Sequence, residues 1–189
     1  MRHKYDTRGI VLARTSAGEA NAFITILTPE LGLLRARAQG LRKSGAKLSS
    51  SLVTFAESDF VLVHGREGWR VAGAVLQENW FTRIQNGSAR DCSARVSGLL
   101  LRLVAGEECN ATLFFIITSF FKALAEFPDE DHDAIELLTV LRILATLGLD
   151  NGKMLGEETI ITESILSGIM KERTKYVARI NHGITASGL

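Results

Sequence analysis

The sequence holds few of the residues that usually mark catalytic or metal-binding sites. Its 189 residues include only 2 cysteines, 4 histidines and 2 prolines. Cys92 and Cys109 belong to no CxxC pair and have no paired histidines. Two isolated cysteines of this kind indicate a protein from a reducing compartment. We expect both to be buried and to pack as small apolar residues.

Motifs of known enzyme classes are also missing, since the chain contains no GxGxxG, GxxxxGK[ST] or HExxH. The acids between Asp129 and Asp133 lack the alternating spacing and the glycine of a calcium loop. A helix N-terminus, whose dipole favours negative charge, accounts for them without a ligand. We therefore expect a protein that is not an enzyme and that uses no metal and no other cofactor.

Long hydrophobic runs are absent as well. The most apolar segment, ATLFFIITSFF at 111–121, is 11 residues long and ends at Lys122. A membrane span needs about 20 residues, so this segment predicts a buried helix. Residues 1–9 carry four charges with no apolar run behind them, and no signal peptide is visible. We expect a cytoplasmic protein with no membrane partner.

Charge is nearly balanced overall, at +1, but it is unevenly distributed. Residues 1–80 contain 11 Lys and Arg against 7 Asp and Glu, a charge of +4. Residues 81–189 contain 11 against 14, a charge of −3. This asymmetry indicates two modules with different partners, and we place the domains at 1–80 and 81–189.

The two halves also differ in their hydrophobic period. Five short β-rich runs, separated by turn residues, predict a small barrel in the first half. These runs are 9–14, 22–28, 33–39, 53–64 and 69–77. In the second half the period becomes helical. Ser88 and Asp91 stand in capping-box position, and Asp91 and Arg95 are spaced as an i,i+4 ion pair.

Further helices are predicted at 112–127, ended by Pro128, and over 129–147, ended by Gly148. One or two more follow Gly156. The fold class is therefore α+β, with a five-stranded barrel followed by an all-α domain.

The stretch LLRARAQGLRKSGAK, residues 33–47, contains five positive charges and no acid. In a strand, alternate side chains point to opposite faces. One face then holds Leu34, Ala36 and Ala38, which can close the barrel core. The other face presents Arg35, Arg37 and Gln39, and the following polar loop adds Arg42, Lys43 and Lys47.

These cationic residues have two interpretations. Most charged alternations are simply solvated strand faces. However, ordinary surfaces intersperse acids among the bases, and none is found here. In an OB fold the faces of the second and third strands bind oligonucleotides, and arginine both forks onto phosphates and stacks on bases. We therefore expect the six polar residues of this stretch to bind DNA.

The ordered set of motifs in this half resembles the N-terminal domain of the bacterial RecO family. The matching elements are Gly18-Glu19, the turn Thr28 to Gly32, Arg35 with Arg37, Gly40 to Ser44, and Leu52 to Phe55. The helix IELLTVLRILATLGLD and the terminal RINHGITASGL resemble later segments of the family. The resemblance covers most of residues 8–78 well and the remainder loosely.

The resemblance implies an OB fold followed by a helical domain, and a nucleoid-associated recombination mediator. Such a protein binds and anneals single-stranded DNA, with duplex DNA as a further ligand. It works with RecR and with the single-stranded DNA-binding protein SSB, and it helps load the RecA recombinase. Many members carry a four-cysteine zinc site after the Leu-Gly segment. Here that region reads DNGKMLGEE, so we expect a short, zinc-free member.

The second half is the expected protein-binding module. SSB tails are acidic with a hydrophobic end, so a groove between helices 112–127 and 134–147 would need a basic rim. Arg102, Lys122 and Arg142 each sit singly in an apolar helix and are the candidates, although each could simply reach water. Two other functions stay open: a protein-only adaptor, and an OB-fold module that binds RNA.

Overall fold

The computed structural model describes residues 3–17, 21–39, 48–104, 106–152, 156–157 and 159–188. The chain divides into two compact units. The first comprises Met1–Arg83 and Ala105–Phe114, and the second comprises Ile84–Val104 and Phe115–Leu189. The functional division at residues 80 and 81 stays a prediction.

In the described ranges, five strands precede six helices. The strands are β1 (His3–Ala17), β2 (Asn21–Thr28), β3 (Gly32–Ala38), β4 (Ala56–Gly65) and β5 (Gly68–Asn79). The helices are α1 (Trp80–Arg83), α2 (Gly87–Leu103), α3 (Ala111–Glu126), α4 (His132–Thr146), α5 (Glu163–Lys171) and α6 (Arg173–Ala186). Short 3₁₀ turns occur at Ser50–Leu52 and Asp129–Asp131.

The sheet closes into a barrel because its first and last strands, β1 and β4, pair with each other, while β1 also pairs with β2. The strand order is β1-β2-β3-β5-β4, and only the pairing of β3 with β5 is parallel. The predicted α+β class is confirmed: the first unit is a five-stranded OB-fold barrel. All five predicted strands form, and β1 begins earlier than predicted because His3–Tyr5 pair with His64–Leu62.

Apolar side chains of alternate residues fill the barrel. Ile24 and Ile26 of β2, Ala36 of β3 and Leu62 of β4 are fully buried, and Phe60 is 1% exposed. This is the period-2 pattern that a half-buried strand requires. The interior is therefore a packed core, and ligands can reach only the outer faces and the ends of the barrel.

The second unit is built around α4. Eleven of its residues are buried, and it contacts α2, α5 and α6. Its C-terminal end is followed by Gly148 at φ +71°, a left-handed conformation that glycine adopts without strain. The predicted helices over 112–127 and 129–147 are confirmed to within a few residues, with the acids from Asp129 starting as a 3₁₀ turn. None of the helices in the described ranges could span a bilayer.

Two local predictions about α2 are wrong. The N-cap is Asn86, whose side chain accepts a hydrogen bond from the Ser88 amide, so the helix begins before Ser88. The i,i+4 pair of Asp91 and Arg95 does not form. Arg95 instead donates from Nε and Nη2 to Glu136 of α4, at 2.7 and 2.6 Å, because a bidentate carboxylate is the stronger partner.

Candidate nucleic-acid interface

The outer face of β3 presents the arginines that alternation predicts. Ala36 and Ala38 are fully buried, whereas Arg35 is exposed. The Arg37 side chain is 41% exposed, and Gln39, just after the strand, is exposed. The predicted register of β3 is therefore confirmed, and Arg35, Arg37 and Gln39 follow one another on one side.

An aromatic residue of β2 lies among these arginines. Antiparallel pairing sets Phe23 opposite Arg37 and Thr25 opposite Arg35. The Arg35 guanidinium carbon lies 4.2 Å from the centre of the Phe23 ring. Attraction between the cation and the ring face holds both side chains against the sheet. The half-exposed ring thus stands beside two positive charges.

A third arginine comes from β5. Parallel pairing sets Arg70 beside Arg37, and the neighbouring Trp69 beside the buried Ala36. Arg70 therefore continues the row across the sheet, which runs through β2, β3 and β5. We call Phe23, Arg35, Arg37 and Arg70 the arginine face. Phe23 and Arg70 were not among the predicted binding residues, although the alternation of Trp69, Arg70 and Val71 indicates that Arg70 points outward.

A pocket of about 630 Å³ lies where the end of β3 meets the β4–β5 hairpin. Arg37, Gln39 and Arg70 line it from the strands, and Arg66 and Glu67 line it from the hairpin turn. The turn is completed by Gly68 at φ +85°. The sequence analysis did not single out Arg66 and Glu67, because only the fold brings this hairpin next to β3.

One carboxylate faces this cationic pocket. Glu67 Oε2 lies 3.7 Å from Nη1 of Arg37, and the Glu67 side chain is 90% exposed. So exposed an ion pair contributes little to stability, because water screens it. Among the described residues, no carboxylate lies within ion-pair distance of Arg35, Arg66 or Arg70. The arginines are therefore available to an anion.

Trp69 closes the barrel behind the pocket. The residue is 8% exposed, and the edges of Tyr5 and His64 approach its ring, with centroids 5.1 and 4.8 Å away. Such edge-to-face contacts stabilise a packed aromatic cluster. Its indole Nε1 has no hydrogen-bond partner in the described part of the chain. Trp69 thus gives the pocket a rigid wall.

Three residues predicted to bind DNA, Arg42, Lys43 and Lys47, lie outside the described residues. They lie three to eight residues after Gln39 in the sequence. Their role stays a prediction. The described part of the interface is the arginine face, and the pocket adjoins it.

The three residues predicted to bind a partner protein are not alike. Arg102 of α2 and Lys122 of α3 are exposed. Arg142 of α4 is only 2% exposed, and its Nη2 donates to the backbone carbonyls of Glu157 and Ile160, each at 2.6 Å. The expectation that Arg142 forms part of a basic rim is therefore corrected: its charge is directed at carbonyls inside the unit.

Other arginines of the second unit bind carboxylates. Arg173 pairs with Asp133, and Arg179 pairs with the buried carboxylate of Asp150 at 2.5 Å. The hydrogen bond from Arg179 holds the pKa of Asp150 below its ordinary value. These pairs join segments of the unit to one another, so they have a structural role.

The thiols provide no reactive group in the second unit. Cys92 is buried, and burial together with the nearby Glu136 raises the pKa of its thiol to about 12. A thiol of this kind stays protonated at neutral pH. No group of three or more metal-ligating side chains occurs within the described ranges.

The barrel matches a known protein family. Residues 1–76 match the model described as Recombination protein O N terminal. Similar curated proteins are bacterial and carry the name DNA repair protein RecO.

Three such relatives illustrate the range of similarity. That of Heliobacterium modesticaldum is 30% identical over 144 residues, which are 76% of this chain and 51% of the relative. That of Dehalococcoides mccartyi is 28% identical over 122 residues, 65% and 48% of the two chains. That of Acaryochloris marina is 40% identical over 86 residues, 46% and 29%. The chain spans about half the length of the first two relatives.

Proposed function

We propose that this chain, whose barrel matches the RecO N-terminal family model, acts in DNA repair as a recombination mediator whose barrel binds single-stranded DNA. The observation that supports this most directly is the arginine face. Arg35 and Arg37 of β3 flank the partly exposed Phe23 ring of β2, and Arg70 of β5 lies beside Arg37. Among the described residues, Glu67 provides the one carboxylate within ion-pair distance of these arginines.

Such a surface suits a single strand better than a duplex. Guanidinium groups bind phosphates without regard to sequence. An unpaired base can stack on the Phe23 ring in place of the Arg35 guanidinium that covers it, or on that guanidinium itself, and every base has a face that can stack. In a duplex the base faces are already stacked on one another, so Phe23 would add nothing. Duplex DNA would then bind through phosphate contacts alone, and more weakly.

The mediator role needs no catalytic group. A surface that neutralises phosphates lowers the repulsion between two strands, which favours annealing of complementary sequences. We propose that the protein anneals strands coated with SSB and helps to load the recombinase in cooperation with RecR. We propose that it acts at the chromosomal DNA, in the cytoplasm.

The acidic tail of SSB is the proposed partner of α3. Phe115 and Lys122 lie two turns apart on one side of this helix, and both are exposed, Phe115 by 51%. A peptide with acidic residues and a hydrophobic end matches this pairing of an aromatic ring with a cation. Arg102 stays a candidate for the same rim, whereas Arg142 no longer does.

Fluorescence anisotropy with a labelled oligothymidine tests the DNA-binding function. The intact protein should bind the strand, and replacement of both Arg35 and Arg37 by alanine should weaken binding strongly. Arg173→Ala is the matched control, because this arginine belongs to the second unit and is paired with Asp133. Equal affinity of all three proteins for the strand would contradict the proposal.

Two further measurements separate the alternative functions. The first is competition with a structured RNA. If this RNA displaces the oligothymidine at equal concentration, the result favours an RNA-binding module. Absence of any nucleic-acid binding, with retained binding of the SSB peptide, would favour a protein-only adaptor. Annealing of complementary strands coated with the cognate SSB then tests the mediator role itself.

A further inference from the structure

The pocket beside the arginine face differs from the face in shape and charge. Arg37 of β3, Arg66 of the hairpin turn and Arg70 of β5 all line it, so three arginines from three segments border one space. Among the described residues of the lining Glu67 is the one acid, so this described part has a formal charge of +2. At about 630 Å³ it is within the range of small-molecule sites.

The interior side of this pocket is closed. Trp69, which is 8% exposed and belongs to the core of the barrel, lines it together with Val63, which is 6% exposed. A continuous strand can lie across an open sheet face, but it cannot pass through a wall of packed core residues. The pocket therefore suits a group at the end of a strand.

The charge of the lining selects among such groups. An internal phosphodiester carries one negative charge, whereas a terminal phosphomonoester carries about 1.5 to 2 and offers three acceptor oxygens. Three arginines can each direct a donor to one of these oxygens. The formal charge of +2 matches the monoester and exceeds what a diester neutralises.

We propose that this pocket binds the terminal phosphate of a DNA strand whose adjoining nucleotides lie on the arginine face. The proposal rests on the single-strand binding proposed above, and it adds recognition of phosphorylated ends. Glu67 contacts Arg37 from the solvent side at 3.7 Å, where it competes with the incoming phosphate. Arg66 belongs to the pocket alone, while Arg37 also belongs to the face.

The test compares oligothymidines of one length that differ only at their ends. One has hydroxyl ends, one a 5′-phosphate, one a 3′-phosphate and one a 5′-phosphate blocked as an ethyl ester. The unblocked phosphate at one of the two ends should bind about tenfold more tightly than the hydroxyl end, as expected for a charge-assisted hydrogen-bond site. The ethyl ester, with one charge fewer, should lose most of this gain.

Two substitutions in the hairpin turn and one on the arginine face test whether the preference for a phosphorylated end comes from the pocket. Arg66→Ala should abolish the preference for the phosphorylated end and leave binding of the hydroxyl-ended strand within about twofold. Glu67→Gln should strengthen binding of the phosphorylated end, because the competing carboxylate is removed. Arg35→Ala, a change on the face outside the pocket, should weaken binding of every oligothymidine by a similar factor.

The outcomes separate the two proposals. If hydroxyl and phosphate ends bind equally, the pocket does not recognise ends, although binding of single strands by the face stands. A preference that survives Arg66→Ala would also overturn the pocket site, since the extra charge would then be bound elsewhere. If no oligothymidine binds, both proposals fail together.

Discussion

Arginines in the two units have different neighbours. In the barrel, Arg35 and Arg70 point outward with no carboxylate of the described residues within ion-pair distance. In the helical unit, Arg95 and Arg179 hold carboxylates at 2.5–2.7 Å, and Arg142 holds two backbone carbonyls. A guanidinium with strong internal partners has few donors left for a ligand. Whether an arginine can bind a ligand therefore depends more on its free donors than on its charge.

The same contrast exists within the barrel. Arg8 lies 3.4 and 3.6 Å from Glu57 and Asp59, and Arg83 lies 2.8 Å from Glu78. Arg8 and Arg83 thus lie beside carboxylates, whereas on the arginine face only Arg37 does so among the described residues. A solvated strand face would be expected to share the mixture of signs that surrounds Arg8 and Arg83.

The largest expected effect comes from placing a charge on the inner side of β3. Ala38 is fully buried, and a carboxylate there would be buried without a partner, at a cost of several kcal/mol. We expect Ala38→Asp to abolish cooperative unfolding or lower the melting temperature sharply by circular dichroism. Gln39→Asp adds the same group one residue away on the exposed side and should unfold as the wild type does. The reverse ranking of these variants would show that the register is wrong.

The next effect concerns the buried arginine of α4. Arg142→Leu leaves the carbonyls of Glu157 and Ile160 without this donor. The free energy of unfolding should fall by about 2 kcal/mol or more, measured by urea denaturation. Arg102→Leu, on an exposed position of α2, should change it by about 0.5 kcal/mol or less. Equal stability of the two variants would contradict the structural role of Arg142.

A smaller change is expected from removing the aromatic ring of the arginine face. Phe23→Ala removes a stacking surface, and such a loss typically costs about 1–3 kcal/mol of binding free energy per base. Affinity for oligothymidine should fall about fivefold or more, with the salt dependence unchanged because no charge is lost. Thr25→Ala, on the same strand, is the control. A salt dependence that falls together with the affinity would show that the ring acts only by positioning Arg35.

The smallest effect is on thiol chemistry and leaves stability and binding alone. Cys92 is buried with a pKa of about 12, whereas Cys109 is exposed. At pH 8, Ellman's reagent should modify one thiol rapidly in the folded protein and both in denaturant. Cys109→Ser should remove the rapid phase. Rapid modification of two thiols without denaturant would mean that the helical unit opens readily around Cys92.

The sequence alone predicts those features that depend on local periodicity. The alternation of Leu34 to Gln39 orients β3 correctly, because the side-chain period of a strand is fixed at two. Helix ends at Pro128 and Gly148 follow from backbone restrictions of proline and glycine. Asn86 was missed as the cap of α2, since both it and Ser88 are good N-cap residues.

Features that depend on contacts between distant segments could not be predicted in this way. Arg70 joins the arginine face only because β5 pairs with β3 in parallel, and this pairing skips β4 in the sequence. Arg142 has the same sequence context whether it faces water or the interior. Its carbonyl partners, at Glu157 and Ile160, lie outside any helix, where periodicity carries no information.

The most direct test of the arginine face is the salt dependence of single-strand binding. Each phosphate that is neutralised contributes a slope of about −0.7 to the plot of log affinity against log salt concentration. Replacement of both Arg35 and Arg37 by alanine should make this slope less negative by about 1 to 1.4, and by a similar amount for every sequence tested. An unchanged slope in this double variant, at normal stability, would contradict the assignment of the face as the DNA-binding surface.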